Sequence, residues 1–247
     1  MTHRFELRKQ IELKAGAEQV WQAVATGRGV DSWFMGRNEI EPRLGGVTRQ
    51  WFGGFPVEAS VTAWEPPRRF AHRSQQGDDG TFMAFEYLVE ARDQGGTVLR
   101  LVQSGVLGDN WEAEYDALSR GWDMYLHTLD QYLTHFPGRT AVPVFAARPH
   151  GGGDEPAWTV LDRGLGLSGE PIAEGDRVRL TPDGLPPVEG IADYVAPDFL
   201  GIRTPDALYR FVQGMNQTIV VQHHVFADVD AKETEQAWQN WLTKLFA

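Results

Sequence analysis

The second half of the chain partly repeats the first. Residues 47–58 (VTRQWFGGFPVE) align without a gap on residues 178–189 (VRLTPDGLPPVE). Val47, Gly53, Pro56, Val57 and Glu58 fall on Val178, Gly184, Pro187, Val188 and Glu189. Further on, VQSGVL from Val102 meets VQHHVF from Val221. Each is followed by acidic residues and an aromatic helical pattern, GWDMYLHTL from Gly121 and AWQNWLTKL from Ala237. A period of about half the chain implies two related domains and excludes a solenoid, which needs at least three short repeats. At 247 residues with 42% hydrophobic content and nine tryptophans, two cores are affordable.

Composition narrows the function classes. The net charge of −11 is shared, with 14 basic and 19 acidic side chains in residues 1–138 and 9 and 15 in residues 139–247. Neither half offers a basic surface to a phosphate backbone or an anionic membrane, so neither a nucleic-acid nor a membrane partner is expected. The absence of cysteine removes disulfides, thiolate catalysis and Cys-based metal sites. Residues 1–13 carry charges throughout, unlike a secretory leader, and no apolar run approaches a membrane span. The expected compartment is the cytoplasm.

Residues 4–13 alternate as a half-buried strand, with Phe5, Leu7, Ile11 and Leu13 on one face. Residues 17–26 read as a helix ended by Gly27 and Gly29, and a second helical turn starts at Val30. Strand patterns at 47–52, 57–64, 70–74, 82–91 and 97–106 are punctuated by glycine and proline pairs, as in an antiparallel meander. Residues 110–136 form the longest helix, with Trp111, Tyr115, Leu118, Trp122, Tyr125, Leu129, Leu133 and Phe136 on one stripe. Pro137-Gly138 stops it, closing a first domain at residue 137. Residues 138–156, rich in proline and glycine, read as a linker that leaves room for a strand at 141–146. Residues 157–247 read as a truncated copy without a clear first strand or paired helices. Its expected elements are a helix near Trp158, strands at 177–181, 188–195 and 199–203, a short helix at 205–212, a strand at 217–226 and a helix at 231–246.

A long helix with one apolar stripe must lie against a sheet, and a curved sheet gripping it leaves room between the two. The first 137 residues resemble the SRPBCC superfamily, the helix-grip fold of START lipid-binding and birch-pollen-allergen-like domains. Within it they are most similar to the branch named after the C-terminal domain of the activator of the heat-shock-protein-90 ATPase. The resemblance is carried by Val20-Trp21, Trp33-Phe34, Gly45-Gly46, Trp64-Glu65-Pro66-Pro67, Gln103-Ser104-Gly105, Gly121-Trp122, Leu126, Leu129 and Tyr132-Leu133. It implies an α+β fold, a helix-grip domain followed by a reduced helix-grip-like domain, and a cavity for a small hydrophobic molecule. It implies no fixed reaction and no cofactor.

Trp33, Phe34, Trp51, Trp64, Phe85, Tyr87, Trp122 and Tyr125 are the aromatic candidates for the cavity lining, each of them equally compatible with a core position. Trp33 and Phe34 stand out, because two adjacent large aromatics on one helical turn are not expected both to point into a core. Gln103 shares a face with Leu99 and Leu101 and is expected to point inward. Arg49 shares a face with Val47 and Trp51, which makes it either a buried cation needing a partner or part of a solvated face. His72 and Glu86 complete the set of groups that could move a proton. Adjacent strand residues such as His223-His224 point to opposite faces and do not chelate one ion, so no metal is expected. Gly164, Gly166 and Gly169 have the spacing of a dinucleotide fingerprint, but no helix opens after them. The reading is a binding domain without a catalytic motif. The alternatives are a polyketide cyclase/aromatase-like enzyme and a co-chaperone-like module with a protein partner. The oligomeric state is open.

Overall fold

The computed structural model describes residues 2–52, 54, 56–93, 95–152, 154–167 and 171–247. Gly53 of the sequence alignment, Gly153 and the Gly169 of the fingerprint-like spacing lie outside the described residues. The chain divides into two compact units, residues 1–140 and 141–247.

The first unit runs β1 (His3–Leu13), α1 (Ala17–Ala25), α2 (Gly27–Asp31), β2 (Arg37–Ile40), β3 (Val47–Trp51), β4 (Val57–Glu65), β5 (Arg69–Ser74), β6 (Phe82–Ala91), β7 (Thr97–Leu107) and α3 (Trp111–His135). Its strands form one antiparallel sheet in the order β1-β7-β6-β5-β4-β3-β2. The meander follows from tight turns, while β1 returns to the last strand, His3 opposite Leu107 and Leu13 opposite Thr97. Alternation is clearest in β7, where Leu99, Leu101 and Gln103 are buried and Arg100 is exposed. Lys9 on β1 reaches Asp123 of α3 at 2.6 Å, tying the helix to the sheet's inner face.

Glycine 27 opens α2 instead of ending a helix. The Thr26 hydroxyl accepts from Gly29 N–H at 3.0 Å, and this cap starts a new helix one residue after α1 ends. The short strand β2 was not apparent in the sequence. With four residues it is too short for alternation to register.

The second unit runs β8 (Val142–Pro149), α4 (Ala157–Gly164), β9 (Arg177–Leu180), β10 (Val188–Ala196), β11 (Phe199–Arg203), β12 (Ala207–Gln213), β13 (Thr218–Val225) and α5 (Ala231–Leu245). Its antiparallel sheet has the order β8-β13-β12-β11-β10-β9. Two expectations are corrected here. Residues 142–149, read from the sequence as a linker with room for a strand at 141–146 before a copy without a clear first strand, are the unit's first strand, paired with β13 from Val142 opposite Val225 to Pro149 opposite Thr218. The segment DALYRFV is a strand and not a helix. Both faces of β12 are buried, Ala207 and Phe211 on one and Leu208 and Arg210 on the other, so no alternation marks it.

Both units therefore have a first strand beside the last, a meander (six strands in the first unit, five in the second) and a closing helix. The aligned segments 47–58 and 178–189 occupy β3–β4 and β9–β10, the corresponding hairpins. The second unit lacks counterparts of α2 and β2. Its α5 lies on the inner face of its sheet. Trp238 packs on Tyr209, Phe211 and His223, and its core also holds Leu161, Ile202, Val221 and Leu242. The outer edge of β8 is met by α5 side chains: Phe145 N–H donates to Glu235 and Ala147 N–H to Gln239, whose amide donates back to the Ala147 carbonyl. No helix among the described residues is long and apolar enough to cross a membrane.

Candidate functional site

Residues directly opposite in neighbouring strands share a face, so the register assigns every strand residue of the first sheet to one side. Starting from buried Gln103 on β7, the inner face continues through Phe85 on β6, His72 on β5 and Val61 on β4. A bulge between Val61 and Ala63 shifts the alternation, so that Trp64, opposite Phe70, is also inward. From Ala59 the inner face passes to Thr48 and Gln50 on β3, then to Ile40 and Asn38 on β2.

This places Arg49 and Trp51 on the outer face, away from Phe85, Gln103 and Trp122, which corrects the expectation that they line the cavity. Arg49 lies opposite Glu39 and Glu58 and pairs with Glu58 at 2.8 Å and Glu41 at 3.6 Å. The Glu58 hydrogen bond holds its guanidinium above its ordinary value. Trp51 lies opposite Arg37, whose guanidinium sits 5.3 Å from the centre of its ring. Alternation had shown that these two residues share a face, but the register with β4 and β5 decides which face that is. Glu86 is likewise outward, opposite Val102, and accepts from Arg69 at 2.7 Å.

Of the remaining candidates, Trp33, Phe34, Phe85, Gln103 and Tyr125 converge on Trp122. Its indole Nε1 donates to Gln103 Oε1 at 2.6 Å, and the Gln103 amide approaches Met83 Sδ at 3.6 Å. Gln103 thus points inward as expected, yet both ends of its amide are engaged by protein. Phe34 stacks on Trp122 with centroids 5.3 Å apart and planes at 15°, and Tyr125 lies 4.4 Å from Phe34. Phe85 approaches from the sheet at 6.2 Å and Trp33 from the turn after α2 at 6.5 Å. Contrary to expectation, Trp33 and Phe34 both turn inward. Trp33 is fully buried, its Nε1 donating to the Ala23 carbonyl at 2.9 Å, while Phe34 keeps accessible surface. Trp64 does not reach this group directly and packs against Trp21 and Phe70. Tyr87 is buried beside Phe70, and burial pushes its hydroxyl up.

Burial along the inner face is graded. At one end Phe70, Tyr87, Val89, Leu99 and Leu101 are closed off. Towards the β3–β4 turn Thr48, Gln50, His72, Met83 and Phe85 are only partly buried, and Val57 is half exposed. Phe34 and Met35 overhang this accessible end. Their segment is pinned by the Asn38 amide, which donates to the Met35 and Gly36 carbonyls, and by Gln50 Nε2, which donates to Met35 at 3.0 Å. Gly36 has φ +67°, and a Cβ there would collide with the Trp51 carbonyl, so only glycine fits. Beneath, Asp31 accepts from Asn38 N–H at 2.7 Å and from its amide at 3.1 Å. Burial nevertheless pushes its carboxyl up to about 6.

His72 was weighed in the sequence only as one of three proton-moving groups; the register makes it the inward one. Its ring stacks 5.0 Å from Phe85 and 5.3 Å from Phe70. Burial pushes its imidazole down to about 4. In the second unit His223 faces α5, with Nδ1 accepting from Arg210 N–H at 3.1 Å, while His224 lies on the opposite face, across from Leu208. Among the described residues no group of three or more His, Asp or Glu is placed to hold a metal ion.

The sequence family described as Activator of Hsp90 ATPase homolog 1-like protein matches residues 14–134. No curated protein matches the chain. Among solved structures, protein MLL2253 from Mesorhizobium loti is 20% identical, with 53% of this chain and 98% of that one covered and a TM-score of 0.47. DynU16, a protein in the dynemicin biosynthetic locus, is 21% identical over 98% of this chain and 95% of its own, with a TM-score of 0.46. The Aha1 protein from Colwellia psychrerythraea is 21% identical over 52% of this chain and 96% of its own, with a TM-score of 0.42. The matched residues run from the end of β1 through α3, so within the first unit everything but β1 resembles the Hsp90 ATPase activator homologues of the SRPBCC superfamily.

Proposed function

We propose that the first unit binds a small hydrophobic molecule between the inner face of its sheet and α3, at the accessible end lined by Phe34, Phe85 and Trp122. The graded burial of that face carries the reading. A folded core closes its aromatic side chains on all sides, whereas Phe34, Met83 and Phe85 keep surface on an inward face. Sites of this kind are mostly apolar with few polar groups. The polar groups here are His72, Thr48 and Gln50.

Of the three groups that could support a proton-moving enzyme, Arg49 and Glu86 face outward. His72 alone is inward, and an imidazole held near pH 4 is a weak base at neutral pH. Binding without turnover is therefore favoured over a cyclase-like reaction. A co-chaperone-like role is implied only by the family's name.

The test is native mass spectrometry of the protein purified from its own host, followed by organic extraction. A bound apolar compound of a few hundred daltons, lost in Phe34→Ala, is the expected result. A protein that is empty as purified and quenches with no added aromatic compound would overturn the reading.

A further inference from the structure

On β3 to β6, His72 is the one titratable side chain that faces inward and keeps accessible surface. Its Nδ1 is enclosed and has no hydrogen-bond partner. Nε2 makes no hydrogen bond among the described residues and is not one of the enclosed atoms, so it is the nitrogen on the accessible side. The flanking rings do not serve as acceptors. Phe85 and Phe70 lie nearly parallel to the imidazole, at 21° and 30°, so they cover its faces while both nitrogens point past them. A phenylalanine would fill the same stack without leaving a polar atom unsatisfied. A histidine there calls for a partner that is absent from the protein itself.

The chemistry of that partner follows from the ring. Orphaned buried N–H groups are rarer than unsatisfied acceptors, so the enclosed Nδ1 carries the lone pair and Nε2 carries the proton. The site therefore presents a hydrogen-bond donor beside aromatic surface. Among the described residues of the sheet, its inner face presents no free cation. Arg49, Arg69, Arg73 and Arg100 are on the outer face by register, and inward Lys9 is held by Asp123.

We infer that His72 Nε2–H donates a hydrogen bond to a carbonyl oxygen of an uncharged aromatic ligand, a ketone or quinone lying against Phe85 and Phe34. This rests on the binding reading above and specifies its ligand class. It makes His72 the polar anchor of an otherwise apolar site.

Two probes of equal shape isolate the hydrogen bond: 2-acetonaphthone and 2-isopropenylnaphthalene, which carries CH2 in place of the carbonyl oxygen. Affinities are read from quenching of tryptophan fluorescence in wild type and His72→Phe. The ketone-to-hydrocarbon affinity ratio is expected to be about tenfold higher in wild type than in the variant, the size of one good hydrogen bond. Equal ratios in the two proteins would overturn the inference while leaving apolar binding intact. Wild type that binds neither probe would overturn both. A second reading needs no variant. The Nε2 resonance of His72 is expected to shift with 2-acetonaphthone and not with the hydrocarbon, and an unmoved resonance in the ketone complex would overturn the assignment.

Discussion

Trp122 joins the helix to the sheet in two ways, through ring contacts with Phe34, Phe85 and Tyr125 and through its hydrogen bond to Gln103. Trp122→Ala removes a side chain that is 3% exposed and leaves Gln103 without its donor. A loss of about 3–5 kcal/mol in a urea titration is expected; a loss below about 1 kcal/mol would show that the helix is not gripped there. Asp31 behaves in the opposite sense to most carboxylates. Its folded-state value lies above the unfolded one, so the stability it contributes is present at acid pH and lost as pH rises towards 6. Asp31→Asn, which keeps an acceptor for Asn38, is expected to raise the urea midpoint at pH 7 relative to its effect at pH 4.5. An equal effect at both would mean that the carboxyl titrates normally.

At the scale of elements, the second sheet carries a buried ion pair. Arg210 on β12 meets Asp193 on β10 in a two-pronged contact, Nη2 to Oδ2 at 2.7 Å and Nη1 to Oδ1 at 3.0 Å. Gly201 on β11 makes room for it, since a Cβ there would lie 2.8 Å from Nη1 and 3.1 Å from Oδ1. Asp193→Ala leaves a buried guanidinium without its carboxylate and is expected to cost about 3–5 kcal/mol by thermal or urea unfolding. A near-neutral result would show that water reaches the arginine. The same pair explains why β12 was misread. A charged residue amid Leu208, Tyr209, Phe211 and Val212 mimics the polar side of an amphipathic helix, whereas here it is satisfied across the sheet by a residue distant in sequence. The meander strands and the long helix were legible because one face of each is solvated and the turns between them are marked. The inward turn of Trp33 and Phe34 and the outward turn of Arg49 and Trp51 depend on a cap and a register, which leave little trace in hydropathy. The importance of His72 was hidden for a related reason. A histidine with unsatisfied nitrogens becomes visible only once its neighbours are placed.

For the whole molecule, acid stability combines opposing titrations. His72 is held near 4 and His223 well below its ordinary value, chiefly by burial. Both must charge in the unfolded chain first, so the stability they contribute is present above about pH 6.5 and falls as pH drops towards their folded values. Asp31 opposes this between 3.8 and about 6. Asp162 and Glu235, which burial also pushes up, act in the same sense as Asp31; the expected net, carried by His72 and His223, is a lower urea midpoint at pH 4.5 than at pH 7. His72→Phe should flatten that decline, and an undiminished decline would mean that His72 is solvated.

The pairing of β1 with β7 also sets an order of events during synthesis. His3 must wait for Leu107, and in the second unit Val142 must wait for Val225. A ribosome delivers the opening strand of each unit first and its neighbour nearly last, so neither sheet can close along the growing chain by local hairpins alone. Until those late strands and the helices behind them emerge, the nascent chain leaves an apolar strand without its neighbour, with slow non-local closure ahead of it.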